Sequence, residues 1–526
     1  MKQKPFRGAV LNEWLFGAYL FAVLAINLFC NRFHWTEIES PKLPFLAFLL
    51  LVPLPLFLLI PPLFRLLRGL RLRPRILSRR NRFLIWLLGA ALTALALVPW
   101  LFWSYHWDCL HVSPDAYAQL LQAQSGLYSD WHPVWHTLLF FTLPLKLFGS
   151  ELMIVPFQLL LFSLAMGYCF LTLYELGGPR FALIAWAAVM LNPVLMKQLA
   201  FPWKDTAFAT AAMLAAVMAV RHRCLERDWT HSRGGAVVFG LLLANATLFR
   251  HNGVLFTGFL LFALLFVQKK KNWIVTALVF ALFLGAVKGP LYSALDVEKP
   301  GRRTLEIMGL PLTVIGNVVT QRPELLDEET AEFAFSVAPL EIWQRFYVCG
   351  DFNSFKFRLP DEELDLIDAA GTGKILRMTG SCFRRAPLDA AMGLFCVTRQ
   401  VYAVSDSGDG GAAPSPMLMY AGGTLYGLLQ EYADICSRTG LRTLSRIGTT
   451  LAVMLAAMLS RCSLFSRKDW TRILLCLSVF CYDFGTMLLL TGPDERFFEV
   501  SFLVCPVFVL LMFYEKPENT DKGMLT

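Results

Sequence analysis

The sequence predicts an all-α polytopic membrane protein, and three observations carry that expectation. Hydrophobic residues make up 56% of its 526 residues and the mean hydropathy is +0.52, which excludes an ordinary soluble enzyme. Apolar runs of about 16–22 residues recur along nearly the whole chain, the length a helix needs to cross a bilayer core. Those runs are continuous rather than alternating, so a transmembrane β-barrel is excluded. About twelve spans are expected, with juxtamembrane helices at the outer face and one extracytoplasmic domain.

Orientation follows from the basic residues. The net charge of +9 sits in short clusters between spans, as the positive-inside rule predicts for cytoplasmic loops, and not in a nucleic-acid-binding surface. Lys2, Lys4 and Arg7 place the N-terminus in the cytoplasm, ahead of a first span at 9–28. That span has no A-x-A-like cleavage site and is expected to remain as an anchor. A second span covers 43–63. Residues 65–82 then hold eight Arg and no acid, the strongest inside marker in the chain and a natural partner for anionic headgroups. A third span, 83–103, exits to the outer face and completes an N-terminal unit at 1–103.

The next unit, 104–150, organises the rest. From Tyr105 to Thr137 it has no Lys or Arg, yet it gathers Asp108, His111, Asp115, Asp130, His132 and His136 among many aromatics. So many titratable groups beside hydrocarbon spans point to chemistry at a membrane face. Residues 131–149 are short, interrupted by Pro144, and carry His136 and Lys146. As a span they would turn the basic loop 221–233 outward. As a juxtamembrane helix they keep every later basic cluster inside, which is the arrangement expected.

Within 151–295 six spans follow, at 152–174, 181–196, 206–220, 235–249, 254–267 and 273–291. Residues 296–442 turn polar and read as the extracytoplasmic domain, about 150 residues and long enough for its own small core. Cys349, Cys382, Cys396 and Cys436 lie in it, either as disulfide partners in an oxidising compartment or as buried thiols. The last unit, 443–526, has spans at 447–464, 473–490 and 498–513 and a cytoplasmic tail.

Under this topology four polar stretches share the outer face: SPD, MKQLAFPWKD, RHNG and PDERFF. Asp115 is the first candidate for a general base, which needs an ionised carboxylate within reach of a hydroxyl. Ser113 can cap the helix that Asp115 opens, where the dipole favours a carboxylate; the competing reading leaves Asp115 as support for that cap. Asp108 is the second base candidate. Asp130 and His132 flank Trp131 and suit substrate hydroxyls or a divalent cation, although one carboxylate and one imidazole are half a metal site. Their alternative is an interfacial turn with an aromatic anchor. Lys204 and Asp205 open a span as a phosphate or sugar contact, or as a snorkelling Lys with its neighbour. Arg250, His251 and Arg496 are further substrate candidates, since Arg suits bidentate phosphate binding. Ordinary interfacial ion pairs are the alternative for them. Asp483, in CYDFG, has no role on this reading.

At these residues the chain resembles the GT-C superfamily of integral membrane glycosyltransferases, which includes protein O-mannosyltransferases and the aminoarabinose transferases of lipid A. SPDAY, DWHPVWHTLLFF and KLFGSE stand in the order of that family's acidic loop and juxtamembrane helix, and PDERFFEVSFLVCP resembles its late D-x-R-Y…P segment. SPD, DWHP, WKD and RHNG together are similar to a bacterial branch. HPV stands where the family has HPP, and PDAY lacks a second adjacent acid. The resemblance covers about 103–271 and the last spans, not the external domain.

That resemblance implies an inverting transfer of sugar from a polyprenyl-phosphate donor to an acceptor hydroxyl at the extracytoplasmic face of the cytoplasmic membrane. No Gly-rich phosphate loop or Rossmann pattern competes with a lipid donor. Two rivals stand beside it: a polyprenyl-linked oligosaccharide ligase or polymerase, and a transporter or flippase. Transporters put ionisable groups at mid-membrane, whereas here they cluster at span ends.

Overall fold

The computed structural model describes residues 9–31, 47, 50–72, 74–404, 425–438, 441–463 and 466–515. Among the described residues every extended element is a helix, and β-structure is limited to isolated bridges. In chain order, the helices that position the site are α1 (Ala9–Asn31), α2 (Arg79–His106), α3 (Pro114–Ser125), α4 (Val134–Phe148) and α5 (Ile154–Gly177). Next come α6 (Lys204–Cys224), α7 (Arg233–Phe249), α8 (Lys270–Ala286), α9 (Gly309–Gln321) and α10 (Pro387–Tyr402). The series closes with α11 (Ile447–Arg461), α12 (Arg467–Met487) and α13 (Glu499–Phe513).

The apolar helices make this an integral membrane protein. Five of them are long and apolar enough to cross a bilayer, or six if one bent pair counts as a span. Length and composition alone therefore account for about half of the twelve expected. Part of the difference comes from apolar helices of only 10–17 residues, α7 and α11 among them, and part from α6, a third of whose 21 residues are Ala and which lies buried on nearly every side. A helix enclosed by other helices needs small residues for close approach, not a lipid-soluble surface. It packs against α5, α7 and α13 and forms the axis of the main apolar core.

The expected span 181–196 is broken near its end. It is two helices, Pro179–Met190 and Pro193–Leu199, meeting at 68°. Asn192 accepts from the N–H groups of Val194 and Leu195, and Pro193 opens the second helix. A proline at that position cannot continue the first helix but starts a second one readily. The bend sends Pro193–Leu199 back toward the FPW turn that precedes α6.

Residues 131–149 hold α4, which has a π-turn at Leu138–Thr142 just ahead of Pro144 and an end at Gly149, φ +66°. Residues 305–390 have an apolar core of their own around Trp343, which stacks on Phe355 at 3.8 Å. Helix α10 carries this unit onto the bundle by packing against α1 and α11 as well as α9. All twelve cysteines are thiols, so Cys349, Cys382, Cys396 and Cys436 form no disulfide in this structure.

Candidate functional site

The site begins with the local chemistry of Ser113. Its Oγ accepts from the Ala116 N–H and caps α3, while Pro114 occupies the first turn. The same oxygen accepts from Trp203 Nε1 at 2.7 Å, tying the start of α3 to the FPW turn. Asp115 therefore emerges next to the N-terminus of α6. Its carboxylate does not serve the cap. Oδ2 accepts from Lys204 Nζ at 3.3 Å and from Arg496 Nη1 at 2.9 Å.

Arg496 is held from three sides. Its Nε donates to Asp494 Oδ2 at 2.6 Å, and its guanidinium lies over Trp203 and Phe497, 5.0 and 5.1 Å from the ring centroids. Lys204 also meets His132 Nδ1 at 3.1 Å. The Asp115, Lys204 and Arg496 side chains keep 25%, 17% and 19% of their exposure, so this charged group is sheltered but not sealed.

Burial by itself would raise the Asp115 pKa. Lys204, followed by Arg496, outweighs it and holds the carboxyl below the usual carboxylate range. Burial, then the Lys204 ammonium, pushes His132 down to about 3. His132 is thus neutral near pH 7 and acts as a hydrogen-bonding group rather than a third cation.

Two neighbouring pairs brace this centre. Arg250 and Asp205 form an ion pair in the interior, with Arg250 also over the Phe497 ring at 4.3 Å and bonded to Asn252. The His251 ring meets the Asp130 carbonyl at 3.0 Å. Asp130 itself accepts from Lys288 Nζ at 2.7 Å and from Tyr292 OH at 3.0 Å. The bridge Ser129↔Glu298 anchors the same loop.

The structure thus gathers SPD, WKD, RHNG and PDERFF at one end of the bundle, with His132, Lys204, Asp115 and Arg496 joined in a chain of contacts. Asp205 and Arg250 lie just inside, committed to each other. Asp108 stands apart: its backbone is left-handed, and its exposed carboxylate pairs with His111 at 2.7 Å. Asp130 and His132 do not share a ligand position, because each is engaged by a different lysine. Among the described residues no group of three or more His, Cys, Asp or Glu is placed to hold a metal ion.

Lys288, Tyr292, Trp203 and Glu499 escaped the sequence reading. Lys288 had a usable signal, a lone cation near the end of an apolar span beside Gly289 and Pro290, and it sits in a π-turn at Val287–Leu291. Such turns recur at functional positions. Glu499 had none, since its role is only apparent once Thr206 donates to it at 3.0 Å. Asp483 accepts from Ser501, inside the α12–α13 contact.

Fold and site together define a helical integral membrane protein with a cation–carboxylate centre at one end of its bundle. No protein-family model matches the chain, and no curated protein matches it. Among solved structures, it aligns with the crystal structure of ArnT from Cupriavidus metallidurans bound to undecaprenyl phosphate. Identity is 15% and the TM-score 0.29, over 82% of this chain and 78% of that one. A likeness this loose transfers no residue's role, and the functional reading rests on the side chains.

Proposed function

We propose that the chain is a GT-C-type glycosyltransferase, moving a sugar from a polyprenyl-phosphate donor to an acceptor hydroxyl at the extracytoplasmic face. One observation carries this reading: Asp115 is bridged by Lys204 and Arg496 at partly exposed helix ends, against the aromatic face of Trp203. A base and two cations within one hydrogen-bonded set are what the transfer needs.

Lys204 and Arg496 receive the donor phosphodiester, which carries one negative charge and gains a second as polyprenyl phosphate departs. Their bonds to Asp115 loosen as they do, and the freed carboxylate accepts the proton of the acceptor hydroxyl. The hydroxyl oxygen attacks the anomeric carbon, the bond from that carbon to the phosphate oxygen breaks, and polyprenyl phosphate leaves with both electrons. Arg496 and Lys204 stabilise the negative charge that grows on it. A single displacement inverts the anomeric centre. Neutral His132 orients Lys204 or a substrate hydroxyl, and Trp203, stacked on Phe201 and beneath the Arg496 guanidinium, holds that guanidinium in place. Asp205, Arg250, Asp130 and Lys288 position these groups through the loops that carry them.

The test compares wild type with Asp115→Asn in lipid, using radiolabelled polyprenyl-phosphate sugars and release of polyprenyl phosphate as readout. Release by wild type that disappears in the folded variant supports the transferase and the base. Equal release by both moves the base away from Asp115. Silence of wild type across the panel, with movement of labelled lipid between leaflets, would establish the flippase instead.

A further inference from the structure

Three cysteines from distant parts of the chain meet beside the junction of the bundle and the 305–390 unit. Cys30 lies at the end of α1, Cys396 in α10, and Cys349 in the turn that follows Tyr347. The Cys396 thiol hydrogen-bonds both of the others. Two independent contacts fix this arrangement. Phe29 meets Phe395 edge-on at 6.2 Å, which seats the end of α1 on α10. Gly350, at φ +79°, lies so close to α10 that a Cβ there would stand 2.7 Å from Cys396 Cβ. Only glycine fits that approach, and it brings Cys349 alongside Cys396.

Accessibility separates the two partners of Cys396. Cys30 is buried, while Cys349 and Cys396 are partly exposed. Cys382 lies in the apolar core of its unit, and Cys436 hydrogen-bonds Tyr432.

We infer that Cys349 and Cys396 form a disulfide in the mature protein, made by exchange with an external disulfide, while Cys30 stays a thiol packed against it. One of the two thiolates attacks a sulfur of the external disulfide and expels a thiolate. The second then attacks the mixed disulfide and expels the other. Both cysteines are oxidised, the external disulfide is reduced to two thiols, and the cysteine protons end on those products. The proposed outer-face location supplies such an oxidant.

The consequence reaches the site through the backbone. The turn carrying Cys349 continues to Asn353, whose N–H donates to the Thr491 carbonyl at 3.2 Å. Gln400, in α10, donates to the Gly492 carbonyl at 3.4 Å. Thr491 and Gly492 lead directly into Asp494 and Arg496. A covalent link between the turn and α10 therefore clamps both supports of the loop that presents Arg496, and Cys349 and Cys396 are positioning residues.

Full-length protein is extracted from membranes without reductant, alkylated with N-ethylmaleimide, digested and mapped by mass spectrometry. The expected result is a Cys349–Cys396 linked peptide with Cys30 alkylated. All three thiols alkylated, even after incubation with oxidised glutathione, would overturn the inference, as would a Cys30–Cys396 link. Hydrogen exchange provides a second readout, independent of any activity. Reduction of wild type is expected to speed exchange of the 491–496 amides about tenfold, whereas Cys349→Ser should show that faster exchange with or without reductant. An unchanged rate in both would overturn the clamp.

Discussion

Helix α6 carries an ion network at each of its ends, and the two are built to opposite specifications. At its C-terminus Arg221 donates to Glu175 at 2.9 Å and to Asp228 at 2.5 Å, and Glu175 also takes Arg82 at 2.6 Å. The Arg221, Glu175 and Asp228 side chains are at most 3% exposed. One buried guanidinium there is clamped between two carboxylates through its two terminal nitrogens, while its Nε has no partner among the described residues. At the N-terminus the arrangement is inverted: one carboxylate, Asp115, is shared by two cations that remain partly exposed. A network buried this deeply holds helices together and presents no exposed charge to a ligand. Two cations sharing one small anion can exchange it for a larger one.

The comparison can be broken by experiment. Asp115→Asn is expected to cut sugar transfer by roughly 10²–10⁴-fold while the protein keeps its elution profile and melts close to wild type. If its stability falls as far as that of an Arg221 variant, the two ends are not different in kind. Arg221→Leu strands Glu175 and Asp228 in the interior and should cost about 3–5 kcal/mol of stability, read by thermal melting in detergent. A wild-type melting curve would make that network dispensable.

Arg496→Lys sharpens the contrast. It keeps the charge but loses the planar fork and the stacking on Trp203, so transfer efficiency should fall roughly ten- to a hundredfold with little change in melting. His132 adds a pH dependence. Its folded pKa, about 3, lies below the ordinary value near 6.5, so the unfolded chain takes up the proton first. The stability it contributes is present above about 6.5 and is lost as pH falls toward 3. His132→Gln should flatten that part of a stability–pH profile. The smallest effect belongs to Ser113→Ala, about 1 kcal/mol for the lost cap, together with a measurable change in Trp203 fluorescence. A silent Ser113→Ala would mean that the cap does not seat Asp115.

Much of the architecture was legible because it depends on short-range patterns. Ser113 announced the start of α3, and continuous apolar runs announced most helices. The break at Asn192-Pro193 was also written in the sequence, as a cap followed by a proline, but the surrounding hydrophobicity concealed it. Asp115, Lys204, Arg250 and Arg496 drew notice because charge is conspicuous in an apolar chain. Lys288 drew none, although the same argument applied to it. The partnering of Cys349 with Cys396 and Cys30, out of so many thiols, had no signature along the chain.

The sequence by itself determined the solvent. Its apolar content, its helix lengths and its basic clusters follow from the cost of placing backbone and charge in hydrocarbon, which is paid residue by residue. Tertiary structure alone decided what each charge is for. Whether a carboxylate ends as a saturated strut, like Glu175, or as a shared and releasable ligand, like Asp115, depends on which cations packing brings within about 3 Å. Residues 115 and 496 are joined by the meeting of helices, a relation that no local pattern in either segment encodes.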